Sequence, residues 1–229
     1  MPNTECVNQI VCGIQFSNSF KLFDKWGEIA DEVLYSPFTK KLFGEKYYSR
    51  ISNDVGYQRS LFNDETQNSL RLTQNNLIIT HNLLGESFES QYDFVKDIIQ
   101  KYVFPQVIYK HVLVVQRIGV VFTCSINDNE INKYKKTIIQ PSYGDSISDF
   151  RFSRKETTPI GLTRQDTNNY INKIVTVGNL AGDTHGISYD YQYFYLPPNA
   201  QAGKDIDKLF CNALDALKKD IFLRIEDIE

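Results

Sequence analysis

The chain carries almost no excess of charge: among 229 residues, 25 lysines and arginines stand against 28 aspartates and glutamates, a formal net charge of −3. So small a balance gives no sequence-independent attraction to phosphate backbones, and nucleic acid is a partner that charge leaves open without indicating it. The local basic runs, Lys133, Lys135 and Lys136 and then Arg151, Arg154 and Lys155, read as solvated loop and strand faces. Cysteine is sparse: Cys6, Cys12, Cys124 and Cys211 form no C-x-x-C pair, which excludes a zinc knuckle and argues against a disulfide framework. They read as reduced thiols, three of them set in apolar patterns as small hydrophobes. Histidine is scarcer still. His81, His111 and His185 have no partner at helical or hairpin spacing, so neither a metal nor a cofactor is expected. No apolar run reaches the roughly 18 to 20 residues of a membrane span. The opening Met-Pro-Asn-Thr-Glu-Cys also lacks the basic and apolar regions of a signal peptide. The expectation is a cytoplasmic protein with no membrane association. Also missing are the phosphate loop G-x-x-x-x-G-K-[ST], the dinucleotide G-x-G-x-x-G, H-E-x-x-H and G-x-S-x-G, so no catalytic residue is assigned.

What is present is enough to fold. Hydrophobic residues make up 41% of the chain, with 15 Phe and 14 Tyr, well above what a disordered chain carries. Ile10 to Ser17 alternates Ile10, Cys12, Ile14 and Phe16, the period of a strand with one buried face. Ser19 then caps a helix whose stripe is Leu22, Phe23, Trp26, Ile29, Ala30, Val33 and Leu34, with Pro37 beyond its end. Between Pro37 and Asn68 the pattern is mixed, with a strand expected at Tyr57 to Phe62. Leu70 to Thr73 and Leu77 to His81 form a hairpin through Gln74, Asn75 and Asn76, asparagine tolerating the left-handed backbone of a tight turn. Phe88, Tyr92, Val95, Ile98, Ile99, Tyr102 and Val103 mark a second helix that Pro105 stops. His111 to Ile126 is the central strand, with Val112, Val114, Ile118, Val120, Phe122 and Cys124 on one face and Leu113, Val115 and Val121 on the other.

Beyond a polar loop at Asn127 to Tyr143, strands are expected at Ser146 to Ser153, Tyr170 to Val177 and Gly186 to Leu196, the last ended by Pro197 and Pro198. A closing helix carries the stripe Ile206, Leu209, Phe210, Ala213, Leu214, Leu217, Ile221 and Phe222. Strands outnumber helices and lie in runs. The fold class is therefore α+β, a mostly antiparallel sheet with three amphipathic helices packed largely on one face. The chain reads as a single domain, 1–229, whose element order suggests two similar halves, 1–126 and 144–229, joined by the polar loop.

Three segments carry a resemblance: Leu-Gly-Glu-Ser-Phe-Glu-Ser at Leu84 to Ser90, Val-Val-Gln-Arg-Ile-Gly-Val-Val-Phe at Val114 to Phe122, and Tyr-Asp-Tyr-Gln-Tyr at Tyr189 to Tyr193. Together they resemble a sporadically distributed prokaryotic family of uncharacterised proteins of about this length. That family shows a short aromatic motif before a helix, an Arg-x-Gly strand and an acidic strand leading to a terminal helix. The resemblance implies one compact domain and no catalytic residues. Its patchy distribution is typical of mobile or defence-associated genes.

Arg117 stands mid-strand among valines and isoleucines, where an unpartnered guanidinium is costly to bury. Its planar fork suits a bidentate acceptor, either Asp190 on the tyrosine strand or a ligand carboxylate or phosphate, and a structural pair with Asp190 is favoured. The row Tyr189, Tyr191, Tyr193 and Tyr195 reads as core more readily than as a stacking platform. Two carboxylate groupings, Asp64 and Glu65 with Lys46, and Asp190 with Glu86 and His81, have no spacing that compels a nuclease site. The ligand-binding candidates are thus Arg117, Asp190, Tyr191 and His81. The favoured function is a non-enzymatic interaction or regulatory module with a protein partner or self-association, in a prokaryotic defence or toxin-antitoxin operon. The alternatives are a sensor of a small anionic ligand or nucleotide using Arg117, and a metal-dependent hydrolase or nuclease.

Overall fold

The computed structural model describes residues 6–36, 47–52, 58–127, 129–133, 151–160, 169–179 and 185–226. Expectations that rest on Phe38, Leu42, Phe43, Lys46, Tyr57, Lys135, Lys136, 134–143 or 146–150, or on the side chains of Leu34, Ile221 and Phe222, lie outside them. The described residues form an α+β fold around one nine-stranded antiparallel sheet. Its strands are β1 (Val7–Phe16), β2 (Tyr47–Ser52), β3 (Gln58–Asn63), β4 (Ser69–Leu72), β5 (Asn76–Asn82), β6 (Val115–Ser125), β7 (Arg151–Pro159), β8 (Tyr170–Asn179) and β9 (His185–Asn199). The helices are α1 (Phe20–Asp24), α2 (Trp26–Tyr35), α3 (Phe88–Ile98) and α4 (Ile206–Glu226), and a short helical turn occupies 129–133.

Across the sheet the strands run β2-β3-β4-β5-β1-β6-β9-β8-β7. Outward from the β1–β6 pair the order is β1, β5, β4, β3 on one side and β6, β9, β8, β7 on the other, and β2 lies outside this correspondence. Gly13 and Gly119 face each other in the middle of the β1–β6 ladder. The alternation of β1 places Ile10, Cys12, Ile14 and Phe16 in the core, and the registers put Leu77, Ile79, Ile118, Val120, Phe122, Tyr189, Tyr191 and Tyr193 on the same face. The tyrosine row is core, each ring at most 8% exposed. On this face α3 lays Phe88 and Tyr92 against Phe122, and Tyr92 stacks obliquely on Phe210 of α4.

Several element boundaries differ from the sequence expectation. The first helix is two: Ser19 caps it by accepting from Leu22 N at 3.1 Å, but the backbone breaks at Lys25, two residues before Gly27, the weakest helix former in the stretch. The stripe survives the break, because Leu22, Trp26, Ile29, Ala30 and Val33 are all buried. Pro105 does not stop the second helix, which continues from α3 as a π-helix over Ile99–Ile108 and closes at His111. Burial of Phe104, Val107 and Ile108 offsets the hydrogen bond that the proline cannot donate.

β6 accordingly starts at Val115 rather than His111, and a register shift between Val115 and Arg117 turns Val115 to the buried face. The same irregularity lets β9 run past Pro197 and Pro198, with Asn199 pairing Val115. β7 extends to Pro159, beyond the Ser153 expected as its end. The β4–β5 hairpin forms as expected but without left-handed asparagines: Thr73 Oγ1 accepts from Asn75 N and Asn76 N and closes the turn itself. Among the described residues no helix is long and apolar enough to cross a membrane.

Candidate functional site

Period-two alternation that drives one face into the core drives the other outward. The registers line that second face with Gln9, Val11, Gly13 and Gln15 of β1, Thr80 and Asn82 of β5, Arg71 of β4, Arg117, Val121 and Thr123 of β6, and Ser188, Asp190, Gln192 and Phe194 of β9. Most are half-buried, and the helix contacts described above fall on the opposite face. Among the described residues no helix packs on this second face, which is a surface of amides and hydroxyls with few charges.

Arg117 lies toward the Val115 end of β6 on this face, opposite Gln15 on one side and Phe194 on the other. Its guanidinium sits over the Phe194 ring, 5.5 Å from the centroid, and Phe194 in turn stacks on Tyr170 at 4.5 Å. The one hydrogen bond it makes among the described residues is long, Nη1 to Gln192 Oε1 at 3.4 Å. The favoured ion pair with Asp190 does not form. Asp190 sits opposite Val121, four residues along the strand from the Arg117 level, and Gln192 stands between them, donating to Asp190 Oδ2 at 2.5 Å. Burial holds the Asp190 carboxyl above the ordinary carboxylate range, against the lowering effects of the Gln192 amide and the Arg117 charge.

His81 and Tyr191, the other two candidates, project from the helix face. His81 pairs with Ile10, is 6% exposed, and engages Gln91 Oε1 through Nε2 at 2.7 Å with Phe94 edge-on to its ring. Tyr191 donates to Asp220 Oδ2 at 2.8 Å, and Lys173 Nζ reaches Asp220 Oδ1 at 2.7 Å, a network that ties α4 to β8 and β9. The sheet therefore separates His81 from Asp190, and the carboxylate grouping that would join them is not assembled. Among the described residues no cluster of three metal-ligating side chains occurs.

Beside Arg117's half of the face, β1, β3, β4 and β5 enclose an open cleft of about 440 Å³ lined by Gln9, Ser60, Gln67, Arg71, Thr80 and Asn82. Gln9 Nε2 donates to Asn82 Oδ1 at 2.8 Å across its floor, and Arg71 is exposed at its rim. Gln192, Phe194 and Arg71 were not singled out by sequence. The signal available for the first was the polar alternation Ser188, Asp190, Gln192 along β9.

No protein-family model and no curated protein matches the chain. Among solved structures it is similar to the Methanococcus jannaschii TBP, at 13% identity over 96% of this chain and 97% of that one, with a TM-score of 0.31. So low a score carries no argument about this chain.

Proposed function

We propose that the protein is a non-enzymatic binding module that recognises an anionic group, a carboxylate or a phosphate, through Arg117 on the second face of its sheet. The observation that carries this reading is the half-buried Arg117, which among the described residues makes a single hydrogen bond of 3.4 Å and has no carboxylate in contact. A planar fork of donors held on an aromatic ring is preorganised for a bidentate acceptor. A hydrolase or nuclease reading has less support, since the carboxylates and His81 are dispersed over both faces. The family resemblance adds the context: a prokaryotic defence or toxin-antitoxin operon, where such a module would regulate or recruit.

The anion belongs either to a small molecule or to an acidic side chain of a protein partner, and one comparison separates them. Thermal melting of the parent, Arg117→Ala and Arg117→Lys proteins is followed with inorganic phosphate, citrate and nucleotides. A small ligand raises the parent melting temperature by mass action, leaves Arg117→Ala unmoved and acts weakly on Arg117→Lys, whose ammonium lacks the fork. A protein partner gives no such shift, but it binds the purified parent in a salt-sensitive manner and fails to bind Arg117→Ala. If Arg117→Ala keeps every binding activity of the parent, the proposal is wrong.

A further inference from the structure

The strand correspondence about the β1–β6 pair is incomplete at one place. β3 carries β2 along its outer edge, whereas β7, which stands in the matching position, carries no strand there among the described residues. All nine residues of β7 are exposed, and the ladder to β8 is unbroken from Arg151 to Pro159. Natural sheets keep their edges short or twist them away, so a bulge-free edge of this length, paired with no other strand among the described residues, is a template for another strand.

The direction of its free groups follows from the register. Ile160 N donates to Asn169 O at 2.8 Å, so alternation turns the residues of the same parity toward β8. The N–H and C=O groups of Arg151, Ser153, Lys155 and Thr157 therefore point outward, and Pro159, which has no N–H, closes the edge. The strand's charges are Arg151, Arg154 and Lys155 against Glu156. Glu156 is already engaged by Arg154 Nη2 at 2.9 Å and, more loosely, by Lys173 Nζ at 3.7 Å.

We infer that the outer edge of β7 binds an extended acidic segment of a partner protein by strand addition. Main-chain hydrogen bonds to Arg151, Ser153, Lys155 and Thr157 supply the attachment, and carboxylates beside Arg151 and Lys155 select the sequence. A second copy of this chain fits less well, because antiparallel self-pairing would oppose two net-positive strands. This site is separate from Arg117 and stands or falls without it.

The test uses a fluorescent peptide of about nine residues alternating glutamate and valine, with its lysine-valine counterpart as control. The full-length protein is expected to bind the acidic peptide in a salt-sensitive manner and the basic one at least about tenfold more weakly. Ser153→Pro removes the outward N–H, which an edge strand tolerates, together with the exposed hydroxyl contact to Thr176 Oγ1 at 2.8 Å, and is expected to abolish binding with the melting temperature little changed, while Ser153→Ala, which loses the hydroxyl and keeps the N–H, binds like the parent. Lys155→Glu weakens the acidic peptide and leaves the fold intact. Hydrogen exchange is expected to slow on binding at Ser153, Lys155 and Thr157, while Arg117→Ala binds like the parent. Equal affinity for both peptides, retention of binding in Ser153→Pro, or a concentration-dependent dimer that Ser153→Pro dissolves would each overturn the inference.

Discussion

Arg117 reaches Gln192 at 3.4 Å and stops short of Asp190, which Gln192 holds through its other amide atom at 2.5 Å. A glutamine between a cation and a carboxylate relays polarity without neutralising either group. Arg117→Ala leaves Asp190 with its Gln192 bond, so no buried carboxylate is orphaned. The expected cost is about 1 kcal/mol or less, the loss of one long hydrogen bond and the Phe194 contact. Urea denaturation measures it, and a loss of about 3 to 5 kcal/mol would instead be the mark of a broken buried ion pair.

Asp220 presents the opposite case. Its side chain is 8% exposed and accepts from both Tyr191 and Lys173. Asp220→Ala leaves a buried hydroxyl without an acceptor and the Lys173 ammonium with only Glu156 at 3.7 Å, and is expected to cost about 2 to 4 kcal/mol in chemical denaturation. Tyr191→Phe removes one donor from a carboxylate that keeps Lys173, and should cost about 1 to 2 kcal/mol.

Gly203 lies where the turn before α4 crosses the end of the π-helix. A Cβ there would lie 2.6 Å from Phe104 Cδ1 and would also press on the Tyr109 hydroxyl. Phe104 is 1% exposed and has nowhere to retreat. Gly203→Ala is therefore expected to destabilise by about 1 to 3 kcal/mol, read as a lower thermal midpoint, even though alanine is the better helix former.

Burial lowers the His81 pKa from its ordinary value of 6.5, outweighing the Gln91 bond and the nearby Glu86 charge. The unfolded chain thus takes up a proton on His81 at a higher pH than the native one. The stability that neutral His81 contributes is complete above 6.5 and is lost as the pH falls below that value. Urea midpoints compared between about pH 8 and about pH 5 should fall more steeply for the parent than for His81→Gln. Parallel profiles would show that His81 protonates freely in the folded state.

None of the four cysteines is in a disulfide, although Cys6 Sγ and Cys124 Sγ lie 3.3 Å apart, and the four differ in access. Burial pushes the Cys12 thiol up to about 12, while Cys211 is exposed on α4. Native protein should therefore label first at Cys211, with Cys12 reacting only as the chain unfolds. In denaturant without reductant all four should react.

Local pattern alone determined much of this protein. Alternation in β1 named Ile10, Cys12, Ile14 and Phe16 as core, because side chains a strand directs to one side share one environment. The stripe of α3, that of α4 from Ile206 to Leu217, the Ser19 cap and the β4–β5 hairpin were legible for the same reason: each depends on residues close in sequence. Tertiary structure decided what local pattern cannot express. Pro105 sits inside a helix because burial of the surrounding face outweighs one missing bond. Pro197 and Pro198 lie within β9 because a bulge opposite Val115 accommodates them. Arg117 misses Asp190 because the β6–β9 register, set by the whole sheet, puts them at different levels of the ladder. The face on which each candidate emerges was settled the same way: a one-residue difference in register exchanges core for surface, and only the assembled sheet sets that parity.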